Sequence, residues 1–161
     1  MKKLLKQQQK KVHKAFIDTS VILRFLVKDD ENKRRSVEKL LKNKEVSLYL
    51  LPIAVIEIVF VLEKVYRLDK KEIRDMVLAI LNTPELKVEM EDVFRNALEI
   101  YVEKNVKFAD AVMGYWGLKQ ELAIIYTYDD KDFKRIEGLE VKRPQLYAAR
   151  QRISRSFLSG F

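Results

Sequence analysis

Short apolar segments with strand character alternate along this chain with longer segments of helical periodicity, and few architectures accept that alternation. Strands separated by helices cannot form tight hairpins. They pair in parallel, with the helices as crossover connections, so the chain is predicted to be α/β with a parallel sheet. Strands are expected at Lys14–Ile17, Val46–Leu50, Leu86–Val88 and Ala123–Tyr128, with a weaker edge strand at Leu139–Lys142. Helices are expected over Ser20–Val27, Lys33–Leu41, Pro52 to about Tyr66, Leu68–Leu81, Met90–Glu103 and Ala109–Glu121. Pro52 suits a first helical turn, where its missing N–H does no harm, and Asp69 suits an N-cap. Thr83-Pro84 marks a turn.

The length of 161 residues, 48% of them hydrophobic, fits one domain with one core. Its body is read as residues 14–144, preceded by a basic extension (1–13) and followed by a basic tail (145–161). Residues 1 to 14 hold six lysines and three glutamines, and the tail carries Arg150, Arg152 and Arg155 with no acid. Basic ends of this kind are usually solvated, although either could contact phosphate. The longest apolar run, Leu48 to Leu62, is broken by Pro52 and Glu57 and falls short of a membrane span, so the chain is expected to be soluble and cytoplasmic, with no membrane partner.

Cysteine is absent, which excludes disulfides, thiolate metal sites and cysteine nucleophiles. The only histidine, His13, lies in the lysine-rich N-terminal stretch, so a histidine-based metal site or serine–histidine catalysis is not credible. Any catalysis must rest on carboxylates. The net charge of +8, from 32 basic and 24 acidic residues, favours a polyanionic partner, although a lysine-rich solvated surface accounts for it equally well.

Four acidic positions stand out by context. Glu57 is the only charge between Ile53 and Leu62, in a segment apolar on every face as expected of a helix packed on both sides. Burial there would demand a cationic partner, and the alternatives are an ion pair or an exposed lip at the helix start. Asp18 ends the apolar run Ala15-Phe16-Ile17, and ligands of open parallel sheets bind outside the carboxyl ends of the strands. It could equally be a helix N-cap. Asp110 opens a helix, where the dipole alone would favour a negative charge. Asp129 and Asp130 follow the fourth strand, again at its carboxyl end. Together these positions predict three or four carboxylates at one edge of one sheet.

Such a cluster needs its mutual repulsion offset, and oxygen-only donors suit a hard divalent cation, Mg2+ or Mn2+. A cation of that kind on a basic protein points to phosphodiester hydrolysis.

The order Phe16-Ile-Asp-Thr-Ser, then a glutamate in an apolar helix followed by Leu62, then Phe108-Ala-Asp-Ala, then Ile125-Tyr-Thr-Tyr-Asp-Asp-Lys-Asp-Phe133 resembles the PIN domain, the fold of VapC-type toxins and related ribonucleases. The resemblance spans about residues 14 to 144. It implies a three-layer α/β/α, Rossmann-like fold with a five-stranded parallel sheet, a Mg2+ or Mn2+ site at the strand ends, cleavage of single-stranded RNA, and frequent homodimers. It also raises a toxin role with a cognate antitoxin that would fill the acidic groove with a basic side chain. By position, Asp18 would be a central metal ligand, Glu57 and Asp110 would bind metal or orient water, and Ser20 and Thr127 would hold Asp18 and the last aspartate by hydrogen bonds. The last acid falls two residues after Thr127, which selects Asp129, or three before Phe133, which selects Asp130. Asp129 is preferred for its fixed distance from the strand, and Asp132 is read as helix surface.

A catalytically inactive RNA-binding or scaffolding protein on the same fold is the competing expectation, with the basic tails supplying affinity. Among the aromatic residues Tyr128, beside the acids, suits base stacking best. Trp116 and Tyr126 read as core or dimer contacts.

Overall fold

The computed structural model describes residues 12–27 and 30–145. Arg150, Arg152 and Arg155 lie outside the described residues. The order of elements is β1 (His13–Phe16), α1 (Thr19–Val27), α2 (Glu31–Leu41), β2 (Val46–Leu50), α3 (Pro52–Lys64), α4 (Lys70–Leu81), β3 (Leu86–Val88), α5 (Glu91–Glu103), α6 (Phe108–Lys119), β4 (Ile124–Tyr126) and β5 (Glu140–Lys142), with a 3-10 turn at Phe133–Arg135 before β5. Among the described residues no helix is long and apolar enough to cross a membrane.

Among the described residues every ladder is parallel, as the alternation of strands and helices requires. The strands hydrogen-bond in two groups, β1-β2-β3 and β4-β5. The first strand begins at His13, one residue before the expected start of the domain body, because the His13 N–H reaches the Glu45 carbonyl at 2.9 Å. The fourth is shorter than the apolar run Ala123–Tyr128 suggests, since β5 offers it only three paired positions.

Local signals set the helix ends. Pro52 occupies the first turn of α3. Asp69 caps α4 by accepting from the N–H groups of Lys71 and Glu72, and the Glu72 carboxylate accepts the Asp69 N–H in return, a capping box.

The core lies on one side of β1-β2-β3. Leu48 and Leu50 of β2 and Leu86 of β3 point inward and are buried together with Val55, Ile58 and Leu62 of α3, Ile73 and Val77 of α4, and Phe94, Leu98 and Tyr101 of α5. Phe108, at the start of α6, closes this core, its ring 5.7 Å from Tyr101 in an edge-on arrangement. The seat of α6 matters because it carries Asp110. Gly114 on that helix lets Ile136 come so close that an added Cβ would lie 2.6 Å from the isoleucine Cδ1. Gly138, at φ +91°, turns the chain beside Leu118 of the same helix just before β5.

Opposite the core, the outward positions of the three-stranded ladder are Lys14, Phe16, Ser47, Tyr49 and Lys87, and Phe16 is 73% exposed.

Candidate active site

The chain leaves β1 at Ile17, and Asp18 stands between the strand end and the first turn of α1. Its Oδ2 accepts from the Ser20 hydroxyl at 2.5 Å and the Ser20 N–H at 3.0 Å, and these bonds hold the carboxyl below the usual carboxylate range. Thr19, buried between them, donates its hydroxyl to Glu57 Oε2 at 2.8 Å. One tripeptide thus fixes both carboxylates, Asp18 directly and Glu57 across from α3.

The expectation that Glu57 is buried is corrected: it is exposed. Ile53, Glu57 and Phe60 share one solvent-facing stripe of α3, spaced four and three residues apart, while Ala54, Val55, Ile58, Val59 and Leu62 take the core side. An exposed carboxylate needs no buried cation, and the threonine hydroxyl suffices to orient it.

A second set forms where α6 meets the loop after β4. Asp110 sits in the first turn of α6, partly buried, and its carboxyl titrates above its ordinary value. Burial is the main cause, opposed by the Lys107 ammonium and reinforced by the Asp132 and Asp129 carboxylates. Lys107 Nζ lies 3.0 Å from Asp129 Oδ2 and 3.9 Å from Asp110 Oδ2, so one ammonium spans two acids. Its own titration moves up, chiefly through the bond to Asp129.

Asp132 is not helix surface. It is only 7% exposed, and its Oδ2 accepts the backbone N–H of Lys107 at 2.8 Å. Lys107 is the N-cap residue of α6 and makes no side-chain cap of its own, so Asp132 caps that helix from a distant loop.

Asp129 and Asp130 face different partners. Asp130 is held low in pKa, first by Lys134 at 2.7 Å, with Arg143 3.4 Å away. Asp129 instead meets Lys107, on the Asp110 side. Thr127 secures the turn: its hydroxyl accepts the Asp129 N–H at 3.0 Å and lies 3.1 Å from the Asp129 carbonyl. The expected support by Thr127 therefore reaches the Asp129 backbone, whereas Ser20 grips the Asp18 carboxylate itself. Tyr128, at 76% exposed, stands beside these acids. Trp116 (48%) and Tyr126 (61%) are exposed, which removes the core reading for both.

The structure therefore gathers Asp18 with Glu57, and Asp110 with Asp129 and Asp132. Among the described residues no three of these carboxylates converge within reach of one cation. The helix α3 packs against both α1 and α6 and so joins the two sets. Sequence reasoning missed Thr19, Lys107 and Asp132. Thr19 was visible as the polar residue between Asp18 and Ser20, and Asp132 as the acid next to the apolar anchor Phe133. Nothing local distinguishes Lys107.

A parallel α/β fold with carboxylates at the carboxyl ends of β1 and β4 is the class of protein these observations define. Comparison with known families narrows it: the PIN domain matches residues 15–139, and the chain belongs to that family, with a mixed α/β architecture of parallel strands joined by helices. The chain is also similar to a VapC ribonuclease of Aquifex aeolicus, 27% identical over 131 residues that cover 77% of this chain and 96% of that protein.

Proposed function

We propose that this protein is a Mg2+- or Mn2+-dependent endoribonuclease that cuts single-stranded RNA, and the toxin of a type II pair restrained by a cognate antitoxin. The observation that carries the reading is the two carboxylate sets at the ends of β1 and β4 in a PIN-family chain. The resemblance to a VapC ribonuclease supports the RNA substrate and the antitoxin.

The donor chemistry fits a hard cation. The acids offer oxygen only, and the carboxyl of Asp110 is raised first by burial and further by the Asp132 and Asp129 carboxylates, an environment whose cost to the ionised form a cation would offset. Such a cation is commonly held by one or two carboxylates with water completing its shell, so Asp18 with Glu57, or Asp110 with Asp129 and Asp130 as the alternate to Asp129, would hold it. When bound, the cation lowers the pKa of water and screens the charge that builds on the phosphate. The chain's own groups do the positioning: Ser20 keeps Asp18 ionised and aimed, Thr19 orients Glu57, and Asp132 fixes the start of α6 and with it Asp110. The exposed apolar residues Ile53 and Phe60 of α3 and Met113 and Trp116 of α6 support a homodimer.

The test is cleavage of labelled single-stranded RNA with Mn2+ or Mg2+ by wild type and Asp18→Asn purified in parallel, each with an EDTA control. Metal-dependent cutting by wild type alone is expected. Equal cutting by both proteins rejects the site, and RNA binding without cutting by either favours the inactive, RNA-binding alternative.

A further inference from the structure

The outward side of the three-stranded ladder does not belong to either carboxylate set. In parallel register Phe16 pairs with Tyr49, Tyr49 with Lys87, and Lys14 with Ser47, so all five side chains share one face. Phe16 and Tyr49 stand on neighbouring strands about 4.8 Å apart. Lys87 Nζ lies 5.3 Å from the centre of the Tyr49 ring. A shallow cavity of about 300 Å³ opens beside them, lined by Lys14, Ala15, Phe16, Tyr49 and Leu51. The phenol of Tyr49 titrates below its ordinary value, first through its hydrogen bond with Ser47 and, against the opposing effect of burial, through the Lys14 and Lys87 ammonium groups.

We propose that this face is a stacking platform for single-stranded RNA, in which Phe16 and Tyr49 take successive bases and Lys14 and Lys87 take the flanking phosphates. The inference rests on the ribonuclease reading for its choice of ligand. An exposed ring, Phe16, beside a half-buried one, Tyr49, with lysines flanking both, matches a polyanion that carries flat apolar groups. A second copy fits less well, because a two-fold contact here would set lysines against lysines, and none of the five outward positions is acidic. The position also serves the chemistry. Phe16 precedes Asp18 by two residues, about 7 Å of extended chain, so a strand of RNA stacked on Phe16 is delivered to the carboxyl edge of β1.

The experiment is fluorescence anisotropy of a short labelled oligouridylate in EDTA, where nothing is cut, with the full chain and with Phe16→Leu, Tyr49→Leu, Tyr49→Phe and Lys87→Gln. Leucine keeps an apolar side chain and removes the ring face, so each leucine variant should bind about 5- to 150-fold more weakly. Tyr49→Phe keeps the ring and should bind within about twofold of wild type on the same stacking argument. Lys87→Gln should reduce the slope of log affinity against log salt by about 0.7, one phosphate's share for a single strand. Thermal melts by circular dichroism confirm that each variant is folded.

Wild-type affinity in both leucine variants overturns the proposal. So does sedimentation in which those substitutions dissociate a wild-type dimer, since the face would then belong to a second copy. With Mn2+ added, the leucine variants should raise KM and keep kcat. Ring-dependent binding without any cleavage leaves the platform standing and rejects only the nuclease reading. Cleavage with a KM indifferent to both rings does the reverse.

Discussion

Replacing Asp132 by alanine removes the acceptor that holds the Lys107 N–H at 2.8 Å and so uncaps α6. Losing an N-cap acceptor costs about 0.5–2 kcal/mol, and leaving a partly buried donor unpaired falls in a similar range of about 1–3 kcal/mol. These describe one lost bond and do not add. Relief of the repulsion between Asp132 and Asp110 works the other way, so a net loss of about 1–2 kcal/mol is expected for Asp132→Ala. In a chain of this size each kcal/mol moves the melting midpoint by about 2–4 °C, which gives a drop of about 2–8 °C. Asparagine has the same shape and keeps an oxygen for the Lys107 N–H, so Asp132→Asn should stay within about 0.5 kcal/mol of wild type. Thermal melts at neutral pH, backed by urea titration, measure both variants. If the asparagine variant melts as low as the alanine variant, the negative charge and not the cap is what stabilises. An unchanged midpoint in the alanine variant would remove the cap from the account altogether.

Further outcomes follow from the same geometry. Asp110→Asn should abolish RNA cleavage yet melt at or above wild type at pH 7. Its carboxyl is raised in the folded state, so the native chain is favoured while Asp110 is protonated and loses that advantage as pH rises through its folded value. Ser20→Ala should move the Asp18 titration upward, read from the carboxyl carbon shift by NMR, since the largest cause of its depression is gone; an unmoved titration would assign the depression elsewhere. Leu62→Ala, at a fully buried position, should cost about 2–5 kcal/mol in urea unfolding. Met113→Asp should turn a dimer into a monomer in light scattering, and an unchanged mass would place any dimer contact away from that face of α6.

The elements legible in the sequence are those with local causes. Pro52 and the Asp69–Glu72 box specify where α3 and α4 begin without help from the rest of the chain. Asp18 and Ser20 were legible for the same reason, being two residues apart. Glu57 misled because an exposed isoleucine or phenylalanine reads in one dimension just like a buried one, so the stripe of Ile53, Glu57 and Phe60 passed for a second core face. Asp132 misled because its partner lies 25 residues earlier, at the cap of α6. No propensity or spacing rule encodes that return of the loop. Lys107 belongs to the same kind of contact, since Asp129 reaches it only after α6 and β4 have been traversed.

The division of the strands into two hydrogen-bonded groups bears on the order in which the molecule acquires its competence. The group β1-β2-β3 consists of strands adjacent in sequence, each joined to the next by one crossover, so loop closure is cheap and this half is expected to form early. Asp18 and Glu57 belong to it. Asp110, Asp129 and Asp132 wait for the docking of α6 and the β4-β5 pair, held by Ile136 against Gly114 and by Asp132 on Lys107. A nascent chain would therefore carry Asp18 and Glu57 in native positions before the other three acids exist. Amide exchange should protect Leu48 and Leu50 more strongly than Ile125, and catalytic power should be the last native property gained on refolding and the first lost on warming.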